Sequence, residues 1–463
     1  MATAHIISLS PSQNARGVRV TGLTQESADK ASTLLMQNHA KYHVYFNEAG
    51  LHNHIVHHML SLYALGATPD ELQAGYDLNQ QYQLPAIKLS DSEINLNDPV
   101  IFRQCLGESK YYQEFIAFFQ SEISRKGVPD VVNEFVFKRD EAADDMLLRM
   151  FSGFLHPILH LGFGLEFDQP CIVAESLAQA AIHDSWPEKI LLPAEKLSLA
   201  SSAPRETTLI ELQASIRADP VVSTAVQWSD PPNKVTHGLV PRALNELLPH
   251  LARYVVSSSE LAKKTAEMIH AGIYMLATSQ QPQKPPMFDF FLMHSANLSY
   301  FFTIFLDLTW ISTENKCRLL EWKARMDLTI YAATRTPVPY PSRIHCYVPK
   351  QPGGWGSIYA RVRKYKDDGH TSKLIRSVRC GEIVSKPYIG SPGFELSQGV
   401  FLKIAHMVMD SVDKINELRA PDALYRMYKA GGVDDEVIKV ITRWVRWCGF
   451  EQAWLYVPSR SNL

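Results

Sequence analysis

Apolar residues recur along most of the chain at the three- and four-residue spacing of helices, and long alternating runs are hard to find. The spacing predicts a helix over 25–43, opened after Thr24, and another over 53–65 that stops at Gly66. Pro69 opens a third over 70–82, and a fourth over 111–126 meets a stop at Gly127 and Pro129. A helix over 134–151 follows. After a turn, Pro157 stands at a first helical position with His156 at the N-cap. The same period marks 172–183, 207–218, 241–277, 289–305, 314–331, 370–377, 396–418, 421–430 and 434–447. Stretches rich in Pro, Ser and Gln at 201–205, 229–233, 279–286 and 337–342 read as loops, too short for interdomain linkers. No repeat of roughly 30–50 residues is found. The expectation is a mostly α protein, one large helical domain over 1–463 built from pairwise-packed long helices.

Charge narrows the partners. The 463 residues hold 46 Lys+Arg against 48 Asp+Glu, a formal net charge of −2, so no basic surplus favours a nucleic acid. The N-terminal stretch lacks the charged and apolar regions of a signal peptide. No window reaches the roughly 18–20 uninterrupted apolar residues of a membrane span. The most apolar stretches, 146–163 and 288–305, are broken by polar residues and read as buried core helices. Six scattered cysteines form no CxxC, which points to free thiols in a cytoplasmic protein. Oligomeric state is not readable from these features.

Several chemistries are absent from the sequence. The GGWG turn at 353–356 fits neither a dinucleotide fingerprint nor a P-loop, and no GxSxG, HExxH or EF-hand loop occurs. NADPH, if used, is therefore expected to reduce the substrate beforehand rather than to bind on a Rossmann unit. None of the histidines has Asp or Glu two residues on, so the usual iron facial triad is missing.

Histidine is the candidate chemistry. Of 17, six (His39, His43, His52, His54, His57 and His58) lie within twenty residues. His54 with His57 or His58 shares a helix face, a spacing that lets two imidazoles serve one metal. His39 and His43 read as structural. A second cluster, His156 and His160, sits one turn apart in apolar sequence, so both rings need buried partners. His294 is an isolated polar group in an aromatic run, with Asn297 placed to orient it. In KDDGHTSKLIR, His370, Lys373 and Arg376 fall three apart, and Arg376 is expected to lower the proton affinity of Lys373. A neutral lysine amine reacts with carbon dioxide to give an anionic carbamate. The adjacent His183 and Asp184 form a possible metal dyad, a pairing common by chance.

The stretches HNHIVHHMLSLYALGA (52–67), HPILHLGFGLEF (156–167), MHSAN around His294 and DGHTSKLIR (368–376) resemble the questin oxidase family of fungal aromatic polyketide pathways. The resemblance implies a helical oxygenase that opens the central ring of a hydroxyanthraquinone or its hydroquinone with O2. The outcome is Baeyer–Villiger-like lactonisation or direct carbon–carbon cleavage. It further implies, for some members, Fe(II) held by four histidines and a carboxylated lysine. On this chain those are Lys373 with His54 or His58, His156 or His160, His294 and His370. The favoured set joins one ring of the 52–58 group to His160, His294 and His370 around Lys373, leaving His54 or His57 as general base. The alternatives are a cofactor-independent oxygenase whose histidines act only as acid and base, and a non-enzymatic helical carrier.

Overall fold

The computed structural model describes residues 1–12, 16–47, 50–89, 94–200, 207–413 and 442–459, with isolated positions between 414 and 441. Among the described residues the secondary structure is helical, and the only β pairing is three isolated bridges. The helices, in chain order, are α1 (Gln25–Lys41), α2 (Ile55–Ala64), α3 (Pro69–Gln80), α4 (Pro99–Cys105), α5 (Tyr112–Lys126), α6 (Val128–Val132), α7 (Glu141–Met150), α8 (Ser152–Glu166) and α9 (Pro170–Ile182). They continue as α10 (Glu188–Ala200), α11 (Leu209–Ala218), α12 (Pro220–Ala225), α13 (Val240–Ala252), α14 (Leu261–Thr278), α15 (Phe290–Ser299) and α16 (Phe302–Asp307). The last are α17 (Thr313–Ala333), α18 (Ser342–His345), α19 (Trp355–Lys364), α20 (His370–Ser385) and α21 (Val400–Asp413).

The chain divides into two compact units. The first comprises Met1–Glu188, Thr303–Ser312 and Arg363–Lys373, and the second the remainder. In the first, α9 packs against α5 and α8, while α1, α2 and α3 pack together and α2 reaches α8. Local chemistry sets the ends of these helices. The Thr24 hydroxyl accepts from the Ser27 N–H to start α1, and Thr68 and Glu71 form a reciprocal capping box ahead of Pro69 for α3. All ten residues of α2 are buried, so it has no polar outer face, and its histidines lie within the packed interior.

In the second unit α14, α15 and α17 pack together, α17 also meets α11 and α13, and α18 meets α21. Its interior holds the Lys323–Asp327 ion pair at 2.5 Å, to which Ser295 adds a hydroxyl donor.

Three expected helices are broken. Over 134–151, a wider π turn at Asn133–Phe137 and a left-handed Arg139 end one segment, and Asp140 caps α7 anew through the Ala143 N–H. The 241–277 stretch becomes α13 and α14, with Pro249 near the end of α13 and Ser258–Glu260 leading into α14. The 289–305 stretch parts at Tyr300 into α15 and α16. The helix expected over 421–430, and much of that over 434–447, lie outside the described residues. The last residues of the latter are not helical, and Val445 bridges Asp289. The apolar 146–163 stretch is a buried bend of 96° between α7 and α8, and no single described helix is long and apolar enough to cross a membrane. All six cysteines are free.

A candidate histidine centre in the first unit

Three sharp local features bring the histidines of the first unit together. His54 occupies the N-cap position of α2. Residues 153–155 adopt positive φ at the start of α8, and regular helix resumes at His156. Gly153 has φ +53°, and a Cβ there would lie 2.6 Å from the His183 ring and 2.8 Å from the His52 ring, so only glycine lets these rings close in. The third feature is the Asp367–Asp368–Gly369–His370 turn that opens α20. Asp367 accepts the backbone N–H groups of Gly369 and Thr371, each at 2.8 Å, and caps the helix. Gly369, at φ +91°, passes so close to α2 that a Cβ would sit 2.7 Å from the His58 Cβ.

At the middle of this arrangement His54 Nε2 faces His156 Nε2 at 2.9 Å. The other nitrogen of each ring is already engaged. His54 Nδ1 lies 3.3 Å from Asp368 Oδ2, His370 Nδ1 lies 2.6 Å from Asp368 Oδ1, and His156 Nδ1 lies 2.5 Å from the Gly153 carbonyl. Each acceptor demands an N–H, which fixes the tautomer and leaves Nε2 as a lone pair. His54, His156 and His370 each offer a ring nitrogen within 4.8 Å of the others. Two facing lone pairs repel unless a cation stands between them, either a proton or a metal.

Burial works against charge on His54 and His370. Burial lowers the proton affinity of His54, and the charge of Lys373 adds to the effect. Burial likewise pushes His370 down to about 3. Burial opposes charge on Asp368 too, yet the His370 and His54 ring donors hold its carboxyl well below the usual range. We therefore take Asp368 as the anion and both rings as neutral donors to it. The donor set, neutral imidazoles oriented by a carboxylate and a carbonyl, suits a divalent transition metal.

The remaining expected residues separate cleanly. His58 has other company: Asn79 lies 3.2 Å from its Nδ1, and its Nε2 turns towards Asp367 at 3.9 Å. His57 Nε2 lies 3.1 Å from His160 Nδ1, and His160 Nε2 lies 2.9 Å from Glu175 Oε2. His156 thus meets the 52–58 group at His54, and His160 meets it at His57. Lys373, one turn along α20 from His370, is buried, and burial pushes its amine down to about 8. Asp368 and Asp367 oppose that shift, and burial replaces the expected influence of Arg376. Arg376 itself donates to the Tyr300 hydroxyl at 2.7 Å in the second unit. His294, also in the second unit, is buried with Nδ1 2.6 Å from the Phe290 carbonyl, while Asn297 turns its amide to the Met293 sulfur.

Sequence reasoning missed Asp367, Asp368, Asn79 and Glu175, and undervalued His52 and His183. His52 stacks on His156 with centroids 3.9 Å apart, and its Nε2 faces His183 Nε2 at 2.8 Å, with Tyr45 alongside. The DDGH tetrapeptide was the available signal for two of these. Of two carboxylates in a row before a glycine at a helix start, the first can cap the helix while the second reaches a ring two residues on.

The fold and site define a helical protein with a buried histidine centre, and its relatives give the class. The family model described as questin oxidase-like matches residues 51–378, so the chain belongs to the questin oxidase-like family. It is 43% identical to the oxidoreductase AflY of Aspergillus parasiticus over 100% of this chain and 95% of that one. It is 35% identical to the Baeyer–Villiger oxidase ptaJ of Pestalotiopsis fici (99% and 100% covered) and 34% identical to the questin oxidase of Aspergillus fumigatus (99% and 100% covered). The chain is an oxidoreductase.

Proposed function

We propose that this enzyme uses O2 to cleave or lactonise the central ring of a hydroxyanthraquinone or its hydroquinone, in a fungal aromatic polyketide pathway. The reading includes a non-haem Fe(II) held by the Nε2 atoms of His54, His156 and His370, with a carboxylated Lys373 as the anion. One observation carries it: three rings whose Nδ1 atoms are engaged by Asp368 or the Gly153 carbonyl bring ring nitrogens within 4.8 Å of one another, two of them Nε2 to Nε2 at 2.9 Å. When bound, Fe(II) supplies a site where O2 is activated beside an electron-rich ring.

The protein's own residues do the rest. Asp368 holds two ligand rings in one tautomer. Lys373, with its affinity lowered to about 8, keeps about a tenth of its amine neutral at pH 7. That fraction adds to CO2 through a new N–C bond and releases one proton, giving the carbamate. His57, buried beside His54 and held neutral by burial, is the base that takes a proton from a substrate phenol. NADPH enters only as the reductant that makes the hydroquinone before binding.

Metal analysis of purified protein, paired with O2 uptake on a reduced hydroxyanthraquinone, tests the reading. About one iron per chain and loss of both iron and uptake in Lys373→Ala support it. Full turnover after exhaustive chelation, with no bound iron, sinks the metal and leaves the second reading. There, the facing His54 and His156 share a proton and act as an acid–base pair in a cofactor-independent Baeyer–Villiger-type oxidation. Several relatives are named Baeyer–Villiger oxidases or monooxygenases, which favours that reaction type.

A further inference from the structure

The helices that supply His54 and His156 also carry a second series of polar contacts that the proposed centre does not use. His57 Nε2 lies 3.1 Å from His160 Nδ1, His160 Nε2 lies 2.9 Å from Glu175 Oε2, and Glu175 Oε1 lies 2.6 Å from His39 Nδ1. The four residues come from α2, α8, α9 and α1, all within the first unit. The inner three are buried. The His39 side chain keeps 15% of its surface exposed, and the Gln120 carboxamide lies 3.3 Å from its Nε2. At the inner end His57 Nδ1 is buried with no hydrogen-bond partner among the described residues. An unsatisfied buried ring nitrogen is costly, and its retention points to a partner that comes and goes.

A structural role alone does not require this much. The ion pair of Glu175 with His39 would satisfy a buried carboxylate, yet Glu175 bridges a second imidazole that leads inward. Burial opposes charge on His39, but its contacts with Cys171 and Glu175 push it up to about 11. Burial also opposes charge on Glu175, whose contacts with His160 and His39 take it down to about 2. The outer pair therefore rests as imidazolium and carboxylate, with the carboxylate accepting from His160.

We propose that His57, His160, Glu175 and His39 form a proton path between the buried centre and the surface of the first unit. The proposal rests on the functional reading in one respect, that His57 is the base meeting the substrate hydroxyl. A substrate O–H proton passes to His57 Nδ1 as the His57 Nε2 proton passes to His160 Nδ1. The His160 Nε2 proton then passes to Glu175 Oε2, and His39 releases its Nε2 proton to water. One proton enters and one leaves, no electrons move, and the outer pair ends as neutral imidazole and carboxylic acid. Running the series backwards returns a proton to the product and restores every tautomer. His160, Glu175 and His39 act through His57 and are positioning and relay residues.

The test uses the full-length enzyme as purified with dithionite-reduced 1,8-dihydroxyanthraquinone as probe. Glu175→Gln should lower kcat by roughly 30- to 100-fold with KM and iron content within about twofold of wild type. His39→Ala should lower kcat by about tenfold, and imidazole in the buffer should restore most of that loss while leaving wild type unchanged. Unaltered kcat in Glu175→Gln, or a His39→Ala defect that imidazole does not rescue, overturns the path.

A wild type that does not turn over the probe is a failure of the functional reading instead. The path is then judged by NMR of protein labelled with 15N-histidine. Low-field ring N–H resonances present in wild type and lost in Glu175→Gln support it, and their absence from wild type overturns it. His39, Cys171 and Glu175 also place donor atoms within 4.8 Å of one another. A bound metal ion that Cys171→Ser removes would make this outer cluster a metal site and likewise overturn the path.

Discussion

Helices α2 and α8 each carry two of the site's histidines, and the two pairs of rings they form behave differently. His54 and His156 meet with their Nδ1 atoms held by Asp368 and a backbone carbonyl, so their Nε2 atoms converge. His57 and His160, three and four residues along, meet head to tail and continue to Glu175. The same residue type, helices and burial give a ligand-like pair in one place and a relay in the other. The third partner decides. An acceptor behind each ring directs both lone pairs at one point, whereas an acceptor at the end of a series lines the N–H groups up along it.

Removing a ring should break the comparison most sharply. His156→Ala should lose more than nine-tenths of the bound iron and lower turnover by at least about 1000-fold, while His57→Gln keeps its iron and loses about 100-fold. Metal analysis with steady-state kinetics reads both, and equal iron loss in the two variants would erase the distinction.

Gly369→Ala comes next. The new Cβ meets α2 at 2.7 Å in a left-handed conformation and should cost about 2–3 kcal/mol by urea denaturation. Because it displaces the start of α20, it should weaken iron binding and leave the His57–His160 contact in place. The opposite pattern in the ring N–H spectrum would count against this division.

Asp368→Asn keeps the shape of the acceptor but loses its charge, and iron affinity should fall roughly 10- to 100-fold. Asp367→Asn, one residue away, acts mainly through the two backbone N–H groups it accepts at the start of α20 and should cost about 1 kcal/mol of stability with iron affinity within about twofold of wild type. A chelator competition series on the two variants separates them.

The smallest effect is in pH. His370, pushed down to about 3, and His58, pushed down to about 4, stay neutral in the folded protein. The unfolded chain takes up those protons below about pH 6.5, so metal-free protein should lose stability as pH falls from 6.5 towards 4. The slope is at most about 1.4 kcal/mol per pH unit for each group. His39, pushed up to about 11, has the opposite sign: its contribution is complete below pH 6.5 and declines as pH rises towards 11. Urea midpoints at pH 5, 6.5 and 8 for wild type and His39→Gln should therefore converge at the alkaline end. A deficit in the variant that grows with pH would contradict the assigned charge on His39.

Much of the fold was legible because helix signals are local. Thr24 and Pro69 mark helix starts from a few neighbouring residues, and the structure places them at those positions. The breaks within 134–151 and 241–277 were less legible, since apolar periodicity continues across a π turn or an irregular connection without marking it. His39 illustrates the limit at the site. It read as structural because nothing near it in sequence carries a carboxylate aimed at its ring, yet Glu175 reaches it from 136 residues away.

The sequence by itself determined which rings could share a helix face: His54 with His57 and His58, His156 with His160, and His370 with Lys373. That follows from the fixed period of the helix. Only the tertiary structure decided which partner each ring nitrogen meets. His54 meets His156 across 102 residues and Asp368 across 314, and those partners choose the tautomer. An imidazole is ligand, relay or core group according to what its second nitrogen touches, and helical spacing carries no information about that contact.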